Sequence, residues 1–311
     1  MKKAVIAVTA LSLVMGFSTA SMAKSDIKGT VSNQSNVSKS ANVAIGKGAT
    51  ARMGSVGVKG SNIQGTVSNK SNVDKSANVA IGQGATANMG SVSLDRANIK
   101  GTVSNQSNVS KSANVAIGKG ATANMGSVTV KGGNVKGTIS NRANVDKSAN
   151  VAIGQGATAN MGSVTMERGS VQGTVSNRSN VSKSANVAIG KGATANMGSV
   201  TMKNSNIKGT VSNKANVDKS ANVAIGQGAT ANMGSVTLDR ANVKGTVSNQ
   251  SNVSKSANVA IGKGATANMG SVTIKNADIK GTISNKANVD KSANVAIGAG
   301  SEASMGSVTV E

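Results

Sequence analysis

The chain of 311 residues contains no histidine, cysteine, tryptophan, tyrosine or proline, and its single phenylalanine is Phe17. Without imidazole or thiol groups it lacks the commonest general base, the cysteine nucleophile and the ligands of soft metal sites. The absence of tryptophan and tyrosine removes the aromatic platforms on which bases stack. We therefore predict that the protein is not an enzyme, binds no cofactor or metal and has no small-molecule substrate.

One catalytic arrangement is compatible with this composition, a serine-lysine pair around Ser38, Lys39 and Ser40. Similar residues recur at the same place in every copy of the repeat described below. Solvated turn residues explain such a pattern better than an active site copied eight times.

Residues 1–23 have the composition of a secretory signal peptide. Lys2 and Lys3 are followed by an apolar run over 4–17 and by small residues that end at Ala23. The apolar run is too short to span a membrane. We predict cleavage before Lys24, which leaves 24–311 as a single domain with a net charge of +21, because the total of +23 loses Lys2 and Lys3.

From Ile27 onward the sequence repeats with a period of 36 residues, which predicts one structural unit stacked on copies of itself. The repeats are 27–62, 63–98, 99–134, 135–170, 171–206, 207–242, 243–278 and 279–311. Short apolar segments separated by Gly, Asn and Ser favour β-strands, and the absence of proline fits a fully paired backbone. Disorder is the alternative for this composition. It does not explain why the residue types at Val43, Ile45, Met53 and Val56 recur in every copy.

These features predict an all-β fold, a β-solenoid of the parallel β-helix or β-roll kind. Asparagine or a substitute precedes an apolar residue at steps of 6, 10, 10 and 10 residues, which we interpret as about two coils per repeat. Sixteen coils would form a rod of roughly 75 Å. We expect a column of methionines to pack inside it: Met53, Met89, Met125, Met161, Met197, Met233, Met269 and Met305.

One asparagine position, which is constant in all repeats, is predicted to form a ladder of side-chain amides at the corners of the coils. Its members are Asn42, Asn78, Asn114, Asn150, Asn186, Asn222, Asn258 and Asn294.

The stretch Ser-Ala-Asn-Val-Ala-Ile-Gly-Lys-Gly-Ala-Thr-Ala at 40–51 resembles the head repeats of YadA-like trimeric autotransporter adhesins. The resemblance implies a left-handed parallel β-roll at a bacterial surface that binds host matrix. The family's repeat is shorter, and its stalk and membrane anchor have no counterpart in these residues, so we expect only the fold to carry over. The repetitive, asparagine-rich chain is also similar to curli-type fibre subunits, although it lacks their aromatic residues.

Charge alternates along one position of the repeat without exception. The column reads Lys59, Asp95, Lys131, Glu167, Lys203, Asp239, Lys275 and Glu311. Two further positions alternate with the same period of 72 residues, beginning with Ser38 and Asp74 and with Lys47 and Gln83. Duplication of a 72-residue unit accounts for the period. Alternating charges on neighbouring strands also attract each other, which the duplication does not explain.

The terminal repeats carry unique charges of opposite sign. Arg52 occupies a position that is asparagine or serine in all other copies, and Glu302 replaces a threonine. A second molecule placed after Glu311 would continue the 36-residue register and place Lys59 next to that carboxylate. We therefore predict an assembly interface of Arg52, Lys59, Glu302 and Glu311, in which Glu302 of one copy pairs with Arg52 of the next. The alternative is that the divergent stretch 299–302 is a cap that ends the rod.

The sequence thus predicts a secreted structural protein that assembles head to tail with copies of itself into an extracellular fibre, a scaffold of the bacterial cell surface or biofilm matrix. The net positive charge also allows an adhesin, or a binder of anionic polysaccharide or extracellular DNA. A third alternative is an ice-binding protein, because columns of threonine begin at Thr30 and Thr50.

Overall fold

The computed structural model describes residues 19–22 and 26–310, and every regular element in this part of the chain is a β-strand. The predicted all-β solenoid is confirmed, since the strands stack in parallel as eight successive coils. Of the predicted signal peptide only 19–22 fall within the described residues, as strand β1 (Thr19–Met22). Glu311 lies outside them.

Each coil contributes one strand to each of four parallel sheets. Sheet I contains the long strands β2 (Asp26–Ser38), β6 (Asn62–Asp74), β10 (Asn98–Ser110), β14 (Asn134–Asp146), β18 (Ser170–Ser182), β22 (Asn206–Asp218), β26 (Asn242–Ser254) and β30 (Ile279–Asp290). Sheet II follows in every coil and contains β3 (Ala41–Ile45), β7 (Ala77–Ile81), β11 (Ala113–Ile117), β15 (Ala149–Ile153), β19 (Ala185–Ile189), β23 (Ala221–Ile225), β27 (Ala257–Ile261) and β31 (Ala293–Ile297).

The other two sheets return the chain to the start of the next coil. Sheet III contains β4 (Thr50–Met53), β8 (Thr86–Met89), β12 (Thr122–Met125), β16 (Thr158–Met161), β20 (Thr194–Met197), β24 (Thr230–Met233), β28 (Thr266–Met269) and β32 (Glu302–Met305). Sheet IV contains β1 together with β5 (Ser55–Lys59), β9 (Val92–Asp95), β13 (Val128–Lys131), β17 (Val164–Glu167), β21 (Val200–Lys203), β25 (Val236–Asp239), β29 (Val272–Lys275) and β33 (Val308–Val310).

Each 36-residue repeat forms one coil, so the prediction of two coils per repeat was wrong. Asn114, for example, lies opposite Asn78 on one side and Asn150 on the other, 36 residues away in each direction. The two halves of a repeat differ in sequence, and therefore identical side chains can stack only at the full period. At about 4.8 Å per strand, eight coils give a rod of roughly 38 Å.

The interior is divided into three apolar clusters. Valine, isoleucine, leucine and methionine from sheet IV pack against the first half of sheet I, as Leu94 does near Ile99. Alanines fill the narrow space between sheets II and III. The predicted methionine column packs beside valines such as Val73, and its members from Met53 to Met269 are fully buried. Shape matching of identical residues on successive rungs keeps this thin core dense.

A lysine turns the chain from sheet I to sheet II in every coil. These lysines have φ angles between 45° and 49°, in the left-handed region that favours glycine or asparagine. They form the lysine row: Lys39, Lys75, Lys111, Lys147, Lys183, Lys219, Lys255 and Lys291. At the corner after sheet IV the residue with a left-handed φ differs between coils. It is Gly60, Arg96 or Asn204, for example.

Candidate assembly and docking surfaces

Two columns of asparagine run through the interior from the first coil to the last. One begins at Asn33 and ends at Asn285, and the other is the predicted column from Asn42 to Asn294. In both, each Nδ2 donates to the Oδ1 of the next rung at 2.8–3.0 Å. The Asn42 column lies within sheet II and faces the interior, whereas the sequence had suggested a corner.

The Asn42 column also joins sheet II to sheet III. In the fourth coil, the Nδ2 of Asn150 lies 3.1 Å from the carbonyl oxygens of Ala123 and Asn160, and 2.8 Å from Asn186 Oδ1. Its own Oδ1 accepts from Asn114 Nδ2 at 2.8 Å. Because buried amides are costly unless hydrogen-bonded, this column specifies which strands face each other.

Replacing Asn150 with alanine should lower the free energy of unfolding by about 2–4 kcal/mol, since it leaves buried hydrogen-bonding groups without partners. The matched control is Asn144→Ala in the same coil, where an exposed Asn144 donates to Asn108 Oδ1 at 3.0 Å. Its cost should stay below about 1 kcal/mol. Urea unfolding followed by circular dichroism measures both, and equal losses would show that burial of the ladder does not stabilise the fold.

A third asparagine column occupies the six internal coils and is replaced by other residues on the first and last coils. It runs from Asn88 to Asn268 in the angle between sheets III and IV, and threonines such as Thr129 donate to it. On the first coil Arg52 replaces the asparagine, and its guanidinium lies over Gly57, where a Cβ would be 2.8 Å from Nε. Burial lowers the pKa of Arg52. On the last coil the equivalent residue is Ser304.

The alternating charges occupy directly opposed positions on sheet IV. Lys131, for example, lies between Asp95 and Glu167 on the neighbouring strands. The three salt bridges of the described residues do not join members of this column, however. Asp95 and Asp239 contact the arginine that follows each of them, at 3.4 and 3.3 Å. Between the members of the column that the structure describes, the attraction is therefore at longer range than an ion pair, and such attraction is small at an exposed surface.

Three of the four predicted interface residues lie on the terminal coils, and the fourth, Glu311, lies outside the described residues. Glu302 begins β32 and contacts Lys275 Nζ of the preceding coil at 2.9 Å. Arg52 is on the first coil, partly buried as described above, and Lys59 ends β5 on the same coil. A contact between Glu302 and Arg52 of another copy stays a prediction. In that contact, Glu302 would pair with both Arg52 and Lys275.

The two ends of the solenoid differ in how far their cores are covered. On the last coil Met305 is 45% and Val308 is 49% exposed, whereas Met269 and Val272 one rung earlier are fully buried. On the first coil β1 pairs with β5, with Thr19 opposite Ser55. Strand β1 thus lies where a preceding coil would place its sheet IV strand. The first coil accepts an added strand in register, and no described element covers the outer edge of the last coil.

The apolar positions that begin at Val43 and Ile45 recur in every copy, but in sheet II they face outward and not into the core. In every coil the strand Ala-Asn-Val-Ala-Ile of sheet II turns asparagine and the second alanine inward and the larger apolar side chains outward. Ile153 is consequently 36% exposed in the middle of the rod. The signal that could have shown this is the constant asparagine, because a buried amide ladder reverses the usual burial pattern of the strand.

Other candidate features form no site in the described part of the chain. The Ser40 hydroxyl donates to the carbonyl of Ser38 at 2.8 Å, as a turn residue does. The columns starting at Thr30 and Thr50 lie on different sheets and do not form one threonine face. Among the described residues there is no group of three acidic side chains that could hold a metal ion, and no helix suited to crossing a membrane.

Comparison with known proteins gives no match to a family model, a curated protein or a solved structure. The resemblance to adhesin head repeats, and the left-handed coiling that it implies, therefore stay predictions.

Proposed function

We propose that this chain is a secreted structural protein that joins head to tail into an extracellular fibre, a scaffold at the bacterial cell surface or in the biofilm matrix. The observation that carries the proposal is the last coil, whose core residues are exposed and whose strand edges no described element covers. Unpaired edges of this kind invite the addition of another chain. Assembly, rather than catalysis, is the activity that such a surface supports.

The hydrogen-bonding pattern inside the rod indicates how a second copy would dock. In sheet IV a valine N–H donates to a serine carbonyl on the next coil, from Val56 to Ser91 and so on to Val272 and Ser307, at 2.9–3.0 Å. The region 24–311 is eight repeats long. Under the same rule, Val308 would therefore donate to Ser55 of the next copy.

The interior columns support the same register. Asn285 and Asn294, the last members of the two continuous ladders, would meet Asn33 and Asn42 of the next copy. The third ladder is interrupted at this junction, where Ser304 would face Arg52. Burial of Met305 and Val308 would add a hydrophobic contribution of about 0.7–1.5 kcal/mol each, half the value for a fully exposed side chain, because both are already about half covered.

Electron microscopy of the chain 24–311 at increasing protein concentration is the direct test. We expect uniform filaments with an axial repeat of roughly 38 Å, the length of eight coils. The matched sample is the chain 1–311, in which β1 occupies the edge of β5. It should stay monomeric under the same conditions.

Single rods of 24–311 at all concentrations would contradict the proposal and identify the terminal coils as caps. Filaments formed equally well by the chain 1–311 would show that growth does not use the β5 edge.

A further inference from the structure

The outer face of sheet II is a flat apolar surface that no described element covers. Each of its eight strands presents an alanine, a valine and an isoleucine outward, as Ala149, Val151 and Ile153 do in the fourth coil. Side chains on the internal rungs cover one another above and below, and yet Ile117, Ile153 and Ile189 remain 36–37% exposed. We call this surface the apolar face.

Basic residues border the apolar face on both sides. The lysine row precedes the strands, and all eight of its members are exposed. A groove runs along the rod between these lysines and the outward alanines, from Lys39 and Ala41 to Lys291 and Ala293. Beyond the other end of the strands the turns carry a second border of exposed lysines in alternate coils: Lys47, Lys119, Lys191 and Lys263.

The conformation of the lysine row indicates that its charge is retained for a reason other than folding. A left-handed φ costs a residue with a Cβ roughly 1–2 kcal/mol, which glycine avoids. At the corner after sheet IV the repeats use several residue types, including Gly60 and Asn204 as well as Arg96. At the lysine row all eight copies have lysine, and none has glycine or asparagine.

We propose that the apolar face and its lysine borders form a docking surface for an anionic lipid membrane. The apolar side chains would lie against the acyl boundary while the lysines on both sides meet lipid phosphates, the arrangement by which amphipathic elements bind membrane surfaces. An anionic membrane accounts for the apolar face and for both of its basic borders together.

Two other occupants fit less well. A second copy packed face to face would place lysines opposite lysines. The face is also only about 38 Å by 13 Å, or roughly 500 Å², against about 800 Å² per partner in a stable interface. A linear polyanion would pair with the lysines but leave the valines and isoleucines in water. The membrane proposal does not depend on fibre formation, because the face is complete on a single chain.

Flotation of the chain 24–311 with vesicles in a density gradient tests the proposal, since free protein or filaments do not float. Vesicles of phosphatidylcholine and phosphatidylglycerol in equal parts should carry the protein, and vesicles of pure phosphatidylcholine should not. The first variant changes Ile117, Ile153, Ile189 and Ile225 to threonine, which keeps the strand-forming β-branched shape. Its affinity for the anionic vesicles should fall at least tenfold.

The second variant changes Lys111, Lys147, Lys183 and Lys219 to glycine, which relieves the left-handed backbone and should leave the protein folded. At roughly fivefold per lysine close to an anionic surface, the affinity should fall several hundredfold. The control removes the same charge from the outer face of sheet I, with four lysines changed to glutamine: Lys100, Lys136, Lys208 and Lys244. The affinity of this control for the anionic vesicles should fall less than tenfold.

Three results would overturn the proposal. Equal losses in the lysine-row variant and the control would mean that binding follows net charge alone. Unchanged flotation of the isoleucine variant would mean that the apolar face does not contact the membrane. The protein would then be held by the lysines alone, as it would be on a linear polyanion. A lower mass of the isoleucine variant by light scattering would mean that a second copy covers the face.

Discussion

Replacing Gly137 by alanine is expected to destabilise the solenoid by about 3–6 kcal/mol. Gly137 lies in the long strand β14 with a φ of +134°, a conformation that side chains rarely adopt. A Cβ at this position would lie 2.0 Å from the carbonyl oxygen of Gly101 on the preceding coil. The obstacle is backbone, and it can move only if the two rungs separate.

The matched control is Gly156→Ala in the same coil. Gly156 also has a positive φ, of +71°, but its Cβ would have no neighbour within 4 Å. Its expected cost is about 1–2 kcal/mol, the backbone strain alone. Because stability in a repeat array depends on contacts between neighbouring units, Gly137→Ala should also split the unfolding transition into two parts.

Thermal and urea unfolding followed by circular dichroism would measure both glycine variants. Similar small losses for the two would show that the coils have more freedom to separate than the stacked Gly-Gly contacts indicate.

Replacing Val308 by proline is expected to stop filament growth without unfolding the protein. The N–H of Val272 donates to Ser307 across the last internal step of sheet IV. By the same pattern, we expect the N–H of Val308 to point beyond the last coil. Proline removes this donor and places its ring against an incoming strand. At protein concentrations that give filaments of the unaltered chain, the variant should give single rods by electron microscopy.

Val272→Pro is the internal counterpart of this variant. It removes a hydrogen bond of 2.9 Å that exists within the chain, and should therefore lower the free energy of unfolding by about 2–3 kcal/mol. Val308→Pro should change it by less than about 0.5 kcal/mol. Normal filaments from the Val308 variant would mean that this edge is not a growth surface.

The sequence by itself determined that the protein is a parallel β-solenoid. The strict 36-residue period, the short apolar segments and the absence of proline each follow from the needs of a stacked backbone. The methionine column and the Asn42 column could also be predicted, because a residue type that is constant in every copy must contact its own equivalents. Each such contact joins the same position in two neighbouring repeats. Predicting it requires no knowledge of how the coil is folded in cross-section.

Only the tertiary structure decided the number of coils and the direction of the side chains. The regular spacing of asparagines suggested two coils per repeat, but stacking of like on like requires the full 36 residues, as the pairing of Asn114 with Asn78 and Asn150 shows. The outward direction of Val43 and Ile45 depends on the partner sheet across the interior. There the inward asparagine finds carbonyl acceptors on sheet III, which comes from a different part of the repeat. The candidate docking surface follows from that packing, and for this reason the sequence alone did not predict it.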